Sequence, residues 1–360
     1  MTSASQSGVA LSWTYDALGR VLTQGQPDGT VTRQYDAAGR RTRLTWPGGA
    51  LYVTYAYNTA GDLTGVCHNT TSCGAGSLAL YGYDNLGRRT SATQGTGLTS
   101  SWSYDPAGRL TGLGHDFAGA GNDVSFGHSY NPAFQITGRT ISNPAYAFDE
   151  TDGALSTPAN GRDRYTSVGG ATTGYDARGN FLSGGVGRTY AYNSNNELTQ
   201  ASGGTASALT YDPAGRLHSL TGTNNNRFLY DGDQIIAPIN PTTGAITQFF
   251  VPGDGVDEKV AFFQSGVVGT PQFLPADERG SIVAPTNTSG GLAGVNTYDA
   301  YGMPGPGNVG RFGYTGQMWL ADRLWGWAQS VRLRRRGSGE LGRSVGPCTT
   351  GWCAGNATGT

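Results

Sequence analysis

A six-residue motif, Tyr-Asp-x-x-Gly-Arg, recurs along this chain at a spacing of roughly twenty residues. Six strong copies are present, the fifth with Asn in place of the final Arg: Tyr15, Asp16, Gly19, Arg20; Tyr35, Asp36, Gly39, Arg40; Tyr83, Asp84, Gly87, Arg88; Tyr104, Asp105, Gly108, Arg109; Tyr175, Asp176, Gly179; and Tyr211, Asp212, Gly215, Arg216. Weaker copies begin at Tyr57, Phe148, Tyr192 and Tyr230. Because a fixed period decides the architecture of a chain, the 360 residues are predicted to form one array of stacked units rather than two or three separate domains.

Each copy of the motif is predicted to be the turn of a β-hairpin. The Asp side chain can accept a hydrogen bond from a backbone N–H two residues on, and a Pro such as Pro106 pre-sets φ for a type I turn. The Gly tolerates the left-handed conformation that closes such a turn with a bulge. Tyr and Arg then stand at the two strand ends of one hairpin, where we expect them to face each other in an aromatic–cation contact. A lone hairpin is marginal in water, so the copies are predicted to pair side by side in a long sheet.

Together these copies resemble the YD repeats of the RHS (rearrangement hot spot) family, which includes teneurins and the C subunits of insecticidal toxin complexes. The resemblance covers roughly residues 13–320, and residues 276–284, 298–302 and 311–317 resemble the family's repeat-associated core region. The predicted core-motif residues are Asp277, Gly280, Tyr298, Asp299, Tyr301 and Gly302. The resemblance implies an all-β fold in which stacked β-hairpins form part of a spiralling β-shell, a solenoid-like cage. In many bacterial members of the family this shell encloses a toxic C-terminal domain.

Changes in repeat content and composition along the sequence predict four segments. Residues 1–12 are an uncapped N-terminal lead-in, residues 13–232 the YD-repeat array, residues 233–321 the core-like region and residues 322–360 an atypical tail. Apolar runs within residues 233–275 predict longer strands near the end of the shell. Because the chain opens inside a repeat and solenoids normally need polar caps, we expect it to be the C-terminal piece of a longer protein or of a broken gene.

Composition narrows the class of partner. Charged residues make up 14% of the chain and the formal net charge is −1, so nothing indicates a nucleic-acid partner. No apolar run reaches the about eighteen residues of a membrane span, and the N-terminus lacks the basic and apolar regions of a signal peptide. The family resemblance nevertheless implies a secreted or cell-surface location. We expect the 59 glycines to fall at turn positions, as in ordered hairpins.

Two pairs of cysteines are closely spaced, Cys67 with Cys73 and Cys348 with Cys353. The first pair lies in an insertion between two repeats, where a disulfide-closed loop and two free thiols both fit the sequence. Neither spacing is that of a convincing zinc site.

Residues that could carry catalysis are sparse. The four histidines, which fall in different repeats and match no ligand motif, are His68, His115, His128 and His218. Asp277 and Glu278 are adjacent carboxylates that alternation along a strand would place on opposite faces, so a turn entering Gly280 is the favoured interpretation. No catalytic residue, cofactor or metal site is therefore predicted. The resemblance also implies aspartyl self-cleavage at the end of the core, but no Asp-Pro occurs after residue 320, which puts that activity in doubt.

Aromatic side chains suggest an alternative function. Trp13, Trp46, Trp102 and the strand tyrosines could line a glycan-binding surface, because aromatic faces stack on sugars. The competing interpretation is that they pack on the sheet face, and the recurrence of Tyr with every turn favours this structural role.

The sequence therefore predicts a non-enzymatic structural module, part of an RHS-type β-shell that encloses or presents a C-terminal toxin or effector in full-length relatives. Its partners would be the remainder of its own shell or a toxin cargo, as in the polymorphic toxins of interbacterial competition. The alternatives are a carbohydrate-binding or adhesion module, a self-cleaving aspartyl protease, and a gene remnant with no function of its own.

The last 38 residues predict out-of-frame translation. Residues 323–360 hold six Arg, three Trp and two Cys but no Tyr, Phe, Asp, Ile or Lys, whereas all 19 Tyr and only 17 Arg lie upstream. We expect a frameshift near codon 322; the alternative is a genuine basic tail that contacts acidic surfaces. Translation of the gene in the other two frames is expected to restore a Tyr-rich ending of the core, and failure of both frames to do so would eliminate the frameshift.

Overall fold

The computed structural model describes residues 1–148 and 164–318, except residues 50, 75–76, 96, 118, 165, 169–170, 185–186, 204–205, 223–224, 256, 265–267, 288–290, 300–301 and 303. Several predictions from the sequence lie outside the described residues: the frameshifted tail, the second pair of cysteines, the turn of the weak copy that begins at Phe148, and the core-motif residue Tyr301.

Thirteen strands form one antiparallel sheet in which every strand pairs with its neighbours in sequence. They are β1 (Thr2–Gln6), β2 (Val9–Tyr15), β3 (Val21–Gln26), β4 (Gly29–Tyr35), β5 (Arg41–Thr45), β6 (Tyr52–Tyr57), β7 (Leu63–His68), β8 (Ser77–Tyr83), β9 (Arg89–Gln94), β10 (Leu98–Tyr104), β11 (Leu110–Asp116), β12 (Val124–Tyr130) and β13 (Ile136–Ile141). The predicted all-β architecture of stacked hairpins is confirmed. We call this the first sheet.

The remaining strands form three smaller antiparallel sheets. A two-stranded sheet consists of β14 (Ser167–Val168) and β15 (Ala171–Thr172). The eight-stranded second sheet consists of β16 (Gly174–Tyr175), β17 (Phe181–Gly184), β18 (Arg188–Tyr192), β19 (Leu198–Ser202), β20 (Ser207–Tyr211), β21 (Leu217–Thr221), β22 (Asn226–Asp231) and β23 (Gln234–Ile239). A three-stranded sheet consists of β24 (Phe249–Pro252), β25 (Lys259–Phe263) and β26 (Gln272–Phe273). Short 3₁₀ turns occupy Pro47–Gly49, Ala120–Asn122, Pro144–Tyr146 and Tyr314–Gly316.

The three-stranded sheet lies between the two larger sheets. Phe249 and Phe263 belong to the apolar core that the first sheet covers, whereas Phe250 and Phe262 belong to the core that the second sheet covers. Successive side chains of a strand point to opposite faces, so strands buried on both faces read as continuous apolar runs. The prediction of longer strands here was therefore wrong: β24 and β25 have four and five residues, and their apolar runs reflect burial on two sides.

Polar contacts also join sequence-distant parts of the chain. The Asp231 carboxylate accepts hydrogen bonds from Arg33 at 2.6 Å and from Arg41 at 2.5 Å, about 190 residues away in sequence. Trp46 donates its indole N–H to the carbonyl of Ile236 at 3.1 Å. These contacts show that the array of stacked units is folded back on itself.

Glycines also occur inside strands, which corrects the expectation that they fall at turns. A Cβ built on Gly25 would lie 2.3 Å from Ser12 Oγ on the neighbouring strand, and one on Gly82 would lie 2.4 Å from Ser91 Oγ. Five further cross-strand pairs of Gly with Ser or Thr repeat this arrangement: Gly112 with Ser103, Gly114 with Ser101, Gly127 with Thr140, Gly138 with Ser129 and Gly174 with Ser183. The missing Cβ leaves room for the facing hydroxyl group.

Burial on both faces of β24 predicts that two adjacent phenylalanines both support the fold. Phe249→Ala and Phe250→Ala should each lower the free energy of unfolding by about 3–5 kcal/mol, because each leaves a cavity in a different core. Urea denaturation followed by circular dichroism measures the loss. The control Leu18→Ala removes a side chain that is 75% exposed and should change stability by less than about 0.5 kcal/mol. A loss confined to one of the two phenylalanines would contradict the layered arrangement.

Candidate functional site

The recurring geometry of this protein is a row of turns along one edge of the first sheet, with the same turns again in the second sheet. In the first turn the backbone N–H of Asp16 donates to the carbonyl of Arg20 at 3.0 Å, and the N–H of Gly19 donates to the carbonyl of Asp16 at 3.1 Å. Gly19 has a φ of 79°, the left-handed conformation that closes the turn with a bulge. The same two bonds close the turns that begin at Asp36, Asp84, Asp105, Asp176 and Asp212.

The Asp of each strong copy holds its own turn closed. Asp16 Oδ1 accepts the backbone N–H groups of Leu18 and Arg20, both at 2.9 Å. Asp16 Oδ2 accepts the Nε–H of Arg20 at 2.6 Å. The corresponding Nε–Oδ2 bonds of Arg40, Arg88, Arg109 and Arg216 measure 2.6–2.7 Å. The carboxylate therefore fixes the turn and orients the Arg in the same step.

The Arg then reaches forward to the next turn. Arg20 donates from Nη1 to the carbonyl of Asp36 at 2.9 Å, and its guanidinium carbon lies 4.9 Å from the ring centroid of Tyr35. The guanidinium groups of Arg40, Arg88, Arg109 and Arg216 lie 4.4–5.0 Å from the rings of Tyr57, Tyr104, Tyr130 and Tyr230. The predicted aromatic–cation contact therefore exists, but its partner was wrong: each Arg covers the Tyr of the following repeat, not of its own.

The Tyr hydroxyl completes the link between successive turns. Tyr35 donates to the carbonyl of Val21, the residue after Arg20, at 3.0 Å. Tyr57, Tyr83, Tyr104 and Tyr130 donate to the equivalent carbonyls at 2.7–2.9 Å. We call the Asp and Arg of one turn, together with the Tyr and first carbonyl of the next, the inter-turn clasp.

The weaker copies keep the turn but change the clasp. Asn58 closes its turn by accepting the backbone N–H of Asp62 and donating its side-chain amide to the Asp62 carboxylate. Asp62 thus occupies the position that is Arg in the strong copies. Glu197 takes the same place in the copy at Tyr192 and accepts a hydrogen bond from Asn193 at 2.6 Å. The copy at Tyr230 differs most, because Asp231 bonds to Arg33 and Arg41 rather than to its own turn.

One turn of the row was missed in the sequence. Asn131 closes a turn with Gln135 at 3.0 Å, and Phe134 occupies the position of the Gly with a φ of 66°. Arg109 lies 5.0 Å from the rings of both Tyr130 and Phe134. The available signal was the pair Tyr130 and Asn131, twenty-six residues after Tyr104. The copy that this pair begins lacks both the Gly and the Arg of the motif.

The core motifs adopt related turns. Asp277 accepts the backbone N–H groups of Arg279 and Ser281 at 3.0 and 2.9 Å, and Gly280 has a φ of 80°. This is the YD turn with Ala in the place of Tyr. Tyr298 donates its hydroxyl to the carbonyl of Ile282 at 3.0 Å, and the N–H of Gly302 donates to the carbonyl of Asp299 at 3.2 Å.

Two of the histidines lie against the Asp277 turn, which is far from both of them in sequence. His115 Nδ1 lies 2.9 Å from Ser100 Oγ and its Nε2 lies 3.0 Å from the carbonyl oxygen of Ala276. His128 Nε2 lies 3.5 Å from Glu278 Oε2. Burial lowers the pKa of His115 to about 4, so the ring is neutral at pH 7. The pair of Ser100 and His115 is buried away from solvent, and its geometry attaches the core turn to the first sheet.

Asp277 and Glu278 face the same arginine. Arg139 on β13 pairs with Glu278 at 2.9 Å and lies 3.6 Å from Asp277. They share this partner because both lie in a turn, where strand alternation does not apply. Burial and the neighbouring Glu278 carboxylate raise the pKa of Asp277 above its ordinary value.

The cysteine and tryptophan positions are also defined. Cys67 on β7 is bonded to Cys73, which closes the loop after that strand, with a Cα–Cα distance of 5.5 Å. Trp46 is only 1% exposed and its indole N–H is bonded within the core, so it cannot stack on a glycan. Trp102 is partly buried against the core and Arg89 lies 5.8 Å from its ring.

Within the described ranges, no group of three or more His, Cys, Asp or Glu side chains is arranged to hold a metal ion. A search of the same ranges finds no helix with the length and apolar character needed to cross a membrane. The feature that the structure repeats is the clasped turn, which links each turn to the next along the edge of the sheet.

Comparison with known proteins agrees with the assignment of these turns as repeats of one family. The RHS Repeat family model matches residues 15–51 and 83–119, which contain four of the strong turns. These two segments of the chain are therefore similar to RHS repeats. No curated protein matches the sequence significantly.

Solved structures define the fold further. The structure of the Photorhabdus luminescens Tc holotoxin pore matches 89% of this chain and 21% of that chain, with 14% identity and a TM-score of 0.62. Crystal structures of TcdB2-TccC3 and of TcdB2-TccC3-Cdc42 each match 91% of this chain and 20% of that chain, with identities of 16% and 14% and TM-scores of 0.37 and 0.43. Only the first overlaps closely enough to bear on the fold: the stacked antiparallel β-hairpins of this chain are similar to the matched part of that structure. This chain spans about a fifth of the length of these structures.

The forward direction of the clasp can be tested by a double-mutant cycle. Arg20→Gln and Tyr35→Leu should show a coupling energy of about 0.5–1 kcal/mol, because the two side chains form a cation–π contact between repeats. The matched cycle of Arg20→Gln with Tyr15→Leu, its own-repeat tyrosine, should show a coupling near zero. Urea denaturation of the variants gives both values, and a larger coupling with Tyr15 would reverse the assignment.

The Asp residues of the turns predict loss of stability in acid. The backbone N–H of Arg20 lowers the pKa of Asp16 below its ordinary value of 3.8, and the side chain of Arg88 does so for Asp84. The pKa values of Asp36, Asp105 and Asp176 shift in the same direction. Because the unfolded chain binds these protons more readily than the folded protein, stability present above about pH 4 is lost as the pH falls below it.

Urea midpoints measured between pH 6 and pH 2 test this expectation. The wild-type midpoint should fall steadily below pH 4. Asp84→Asn should be less stable at pH 6, because one salt bridge is lost, but should lose less of its remaining stability on acidification. An equal or steeper loss in the variant would show that the turn carboxylates do not set the pH dependence.

Proposed function

We propose that this chain is one section of the wall of an RHS-type β-shell, and that the complete shell encloses a toxin or effector polypeptide. The observation that carries the proposal is the first sheet: thirteen consecutive strands paired in order, with its turns joined edge to edge by inter-turn clasps. Such a wall acts by exclusion and needs no reaction of its own.

The clasp suits a wall more than it suits a binding site. Its charged groups are used within the repeat row: Arg109 is bonded to Asp105 at 2.6 Å and to the carbonyl of Asn131 at 3.1 Å. An Arg that is held by its own Asp, by the next carbonyl and by the next Tyr ring is committed to the clasp. The repeated bonds instead stiffen the edge of the sheet at which the turns lie.

The proposal keeps the division into a repeat array over residues 13–232 and a core-like region over residues 233–321. Support for it comes from the layer that residues 249–273 form between the two larger sheets, and from the turns of residues 276–318 that follow. We propose that this layer closes the end of the wall. The likeness to a chain of the Tc holotoxin pore supports a toxin as the cargo of the complete shell.

Protease protection tests the proposal at the natural length of the protein. The coding sequence on both sides of this chain is determined first, and the complete product is then expressed. A cargo polypeptide should resist trypsin at pH 7 while the wall is intact, and should be cleaved at the rate of the same polypeptide expressed alone once the shell is opened with urea. Cleavage at the free rate in the intact protein would reject enclosure, as would a complete product without cargo that binds glycans on an array.

A further inference from the structure

The row of turns on the first sheet contains a gap. Six turns follow one another along this edge, closed by residues 16–20, 36–40, 58–62, 84–88, 105–109 and 131–135. An Arg from the preceding turn covers the Tyr of the following turn in four of the five spaces between them. In the space between turns 58–62 and 84–88 the position of that Arg is taken by Asp62.

The short acidic side chain leaves this space open. A cavity of about 520 Å³ lies there, lined by Asn58, Asp62, Thr64, Tyr81, Tyr83 and Asp84 among others. Among the described residues, no guanidinium group lies over the ring of Tyr83, although its hydroxyl keeps the usual bond, here to the carbonyl of Leu63 at 2.7 Å. The aromatic half of the clasp is thus in place without its cation.

Asp62 directs a carboxylate oxygen into this space. A Cβ built on Gly87 would lie 3.5 Å from Asp62 Oδ1, just as one on Gly39 or Gly108 would lie 3.8 Å from Nη1 of the preceding Arg. Only Oδ2 of Asp62 is used to close its own turn, where it accepts from Asn58 at 2.8 Å. An acceptor therefore stands next to the place where the other repeats position a donor.

The charges around the cavity favour a cation. Asp84 is paired with Arg88 at 2.6 Å, and Arg89 is paired with Glu258 at 2.8 Å, so both of these ion pairs are internally balanced. The Asp62 carboxylate is left without a cationic partner among the salt bridges of the described residues. A ligand that completes the clasp must supply a planar group that donates hydrogen bonds and stacks on an aromatic ring, which is the chemistry of guanidinium.

We propose that this gap is a binding pocket for the guanidinium group of an arginine side chain presented by another polypeptide. The group pairs with the Asp62 carboxylate, lies over the ring of Tyr83, and donates to the carbonyl of Asp84, as Arg20 does to the carbonyl of Asp36. The row of turns on the first sheet, which has four clasp arginines of its own, thereby accepts a fifth in trans. This inference goes beyond the shell function and does not depend on it.

Titration of the full chain with Nα-acetyl-L-arginine N-methylamide tests the pocket, with binding followed by NMR shifts of the backbone amides of residues 58–64 and 81–88. Saturable shifts confined to these segments are expected. The citrulline analogue has the same shape but no charge, and should bind at least about tenfold more weakly, since a charge-assisted pair is lost. Equal binding of the two analogues, or shifts spread over the whole chain, would overturn the proposal.

Two variants separate the pocket from nonspecific attraction. Asp62→Asn keeps the size of the side chain and removes its charge, so it should weaken binding of the arginine analogue about tenfold. Asp62→Arg removes the carboxylate and places a cation in the gap in cis, so it should abolish binding. Unchanged affinity in Asp62→Asn would refute the site whether or not Asp62→Arg folds. The free arginine analogue and a short Arg-containing peptide are compared to show whether the pocket needs more than the side chain.

Discussion

The structure depends on the way in which an arginine joins one turn to the next. Arg20 is held by Asp16 of its own turn, covers the ring of Tyr35 in the following turn, and bonds to the carbonyl of Asp36. A two-stranded hairpin is marginal by itself and needs neighbouring strands to be stable. Because every clasp uses groups from two consecutive hairpins, part of the stability of each hairpin comes from its neighbour. The clasps thus add to the backbone ladder that already joins the strands in order.

The division of the clasp into a turn-closing part and a turn-joining part explains where the array departs from its pattern. Acids replace the arginine at Asp62 and Glu197, and the turn survives because Asn58 and Asn193 close it with an amide. Closing a turn and joining two turns are therefore separable tasks. A repeat can lose the second without losing the first, and the wall then keeps its backbone ladder but gains a space that another group can enter.

The turn itself was predictable from the sequence, since Asp, Gly and their spacing specify local backbone conformation. The aromatic partner of each Arg was not predictable, because the residues of one hairpin do not determine how closely the next hairpin stacks against it. The turn at Asn131 escaped notice for a related reason: its neighbours hold Phe134 at a φ of 66°, a conformation that the residue type alone argues against. His115 and His128 likewise meet the Asp277 turn only because the chain folds back on itself.

The sequence by itself determined the all-β class, the hairpin unit and the position of the strong turns, because these follow from short-range preferences repeated at a fixed period. Only the tertiary structure decided that the apolar run around Phe249 and Phe250 is a strand buried on both faces between two sheets. It also decided that the Asp231 carboxylate accepts hydrogen bonds from Arg33 and Arg41 instead of closing its own turn. The physical reason is the same in both cases: burial and charge pairing depend on residues far away in sequence, and a local pattern holds no information about which distant surface will cover it.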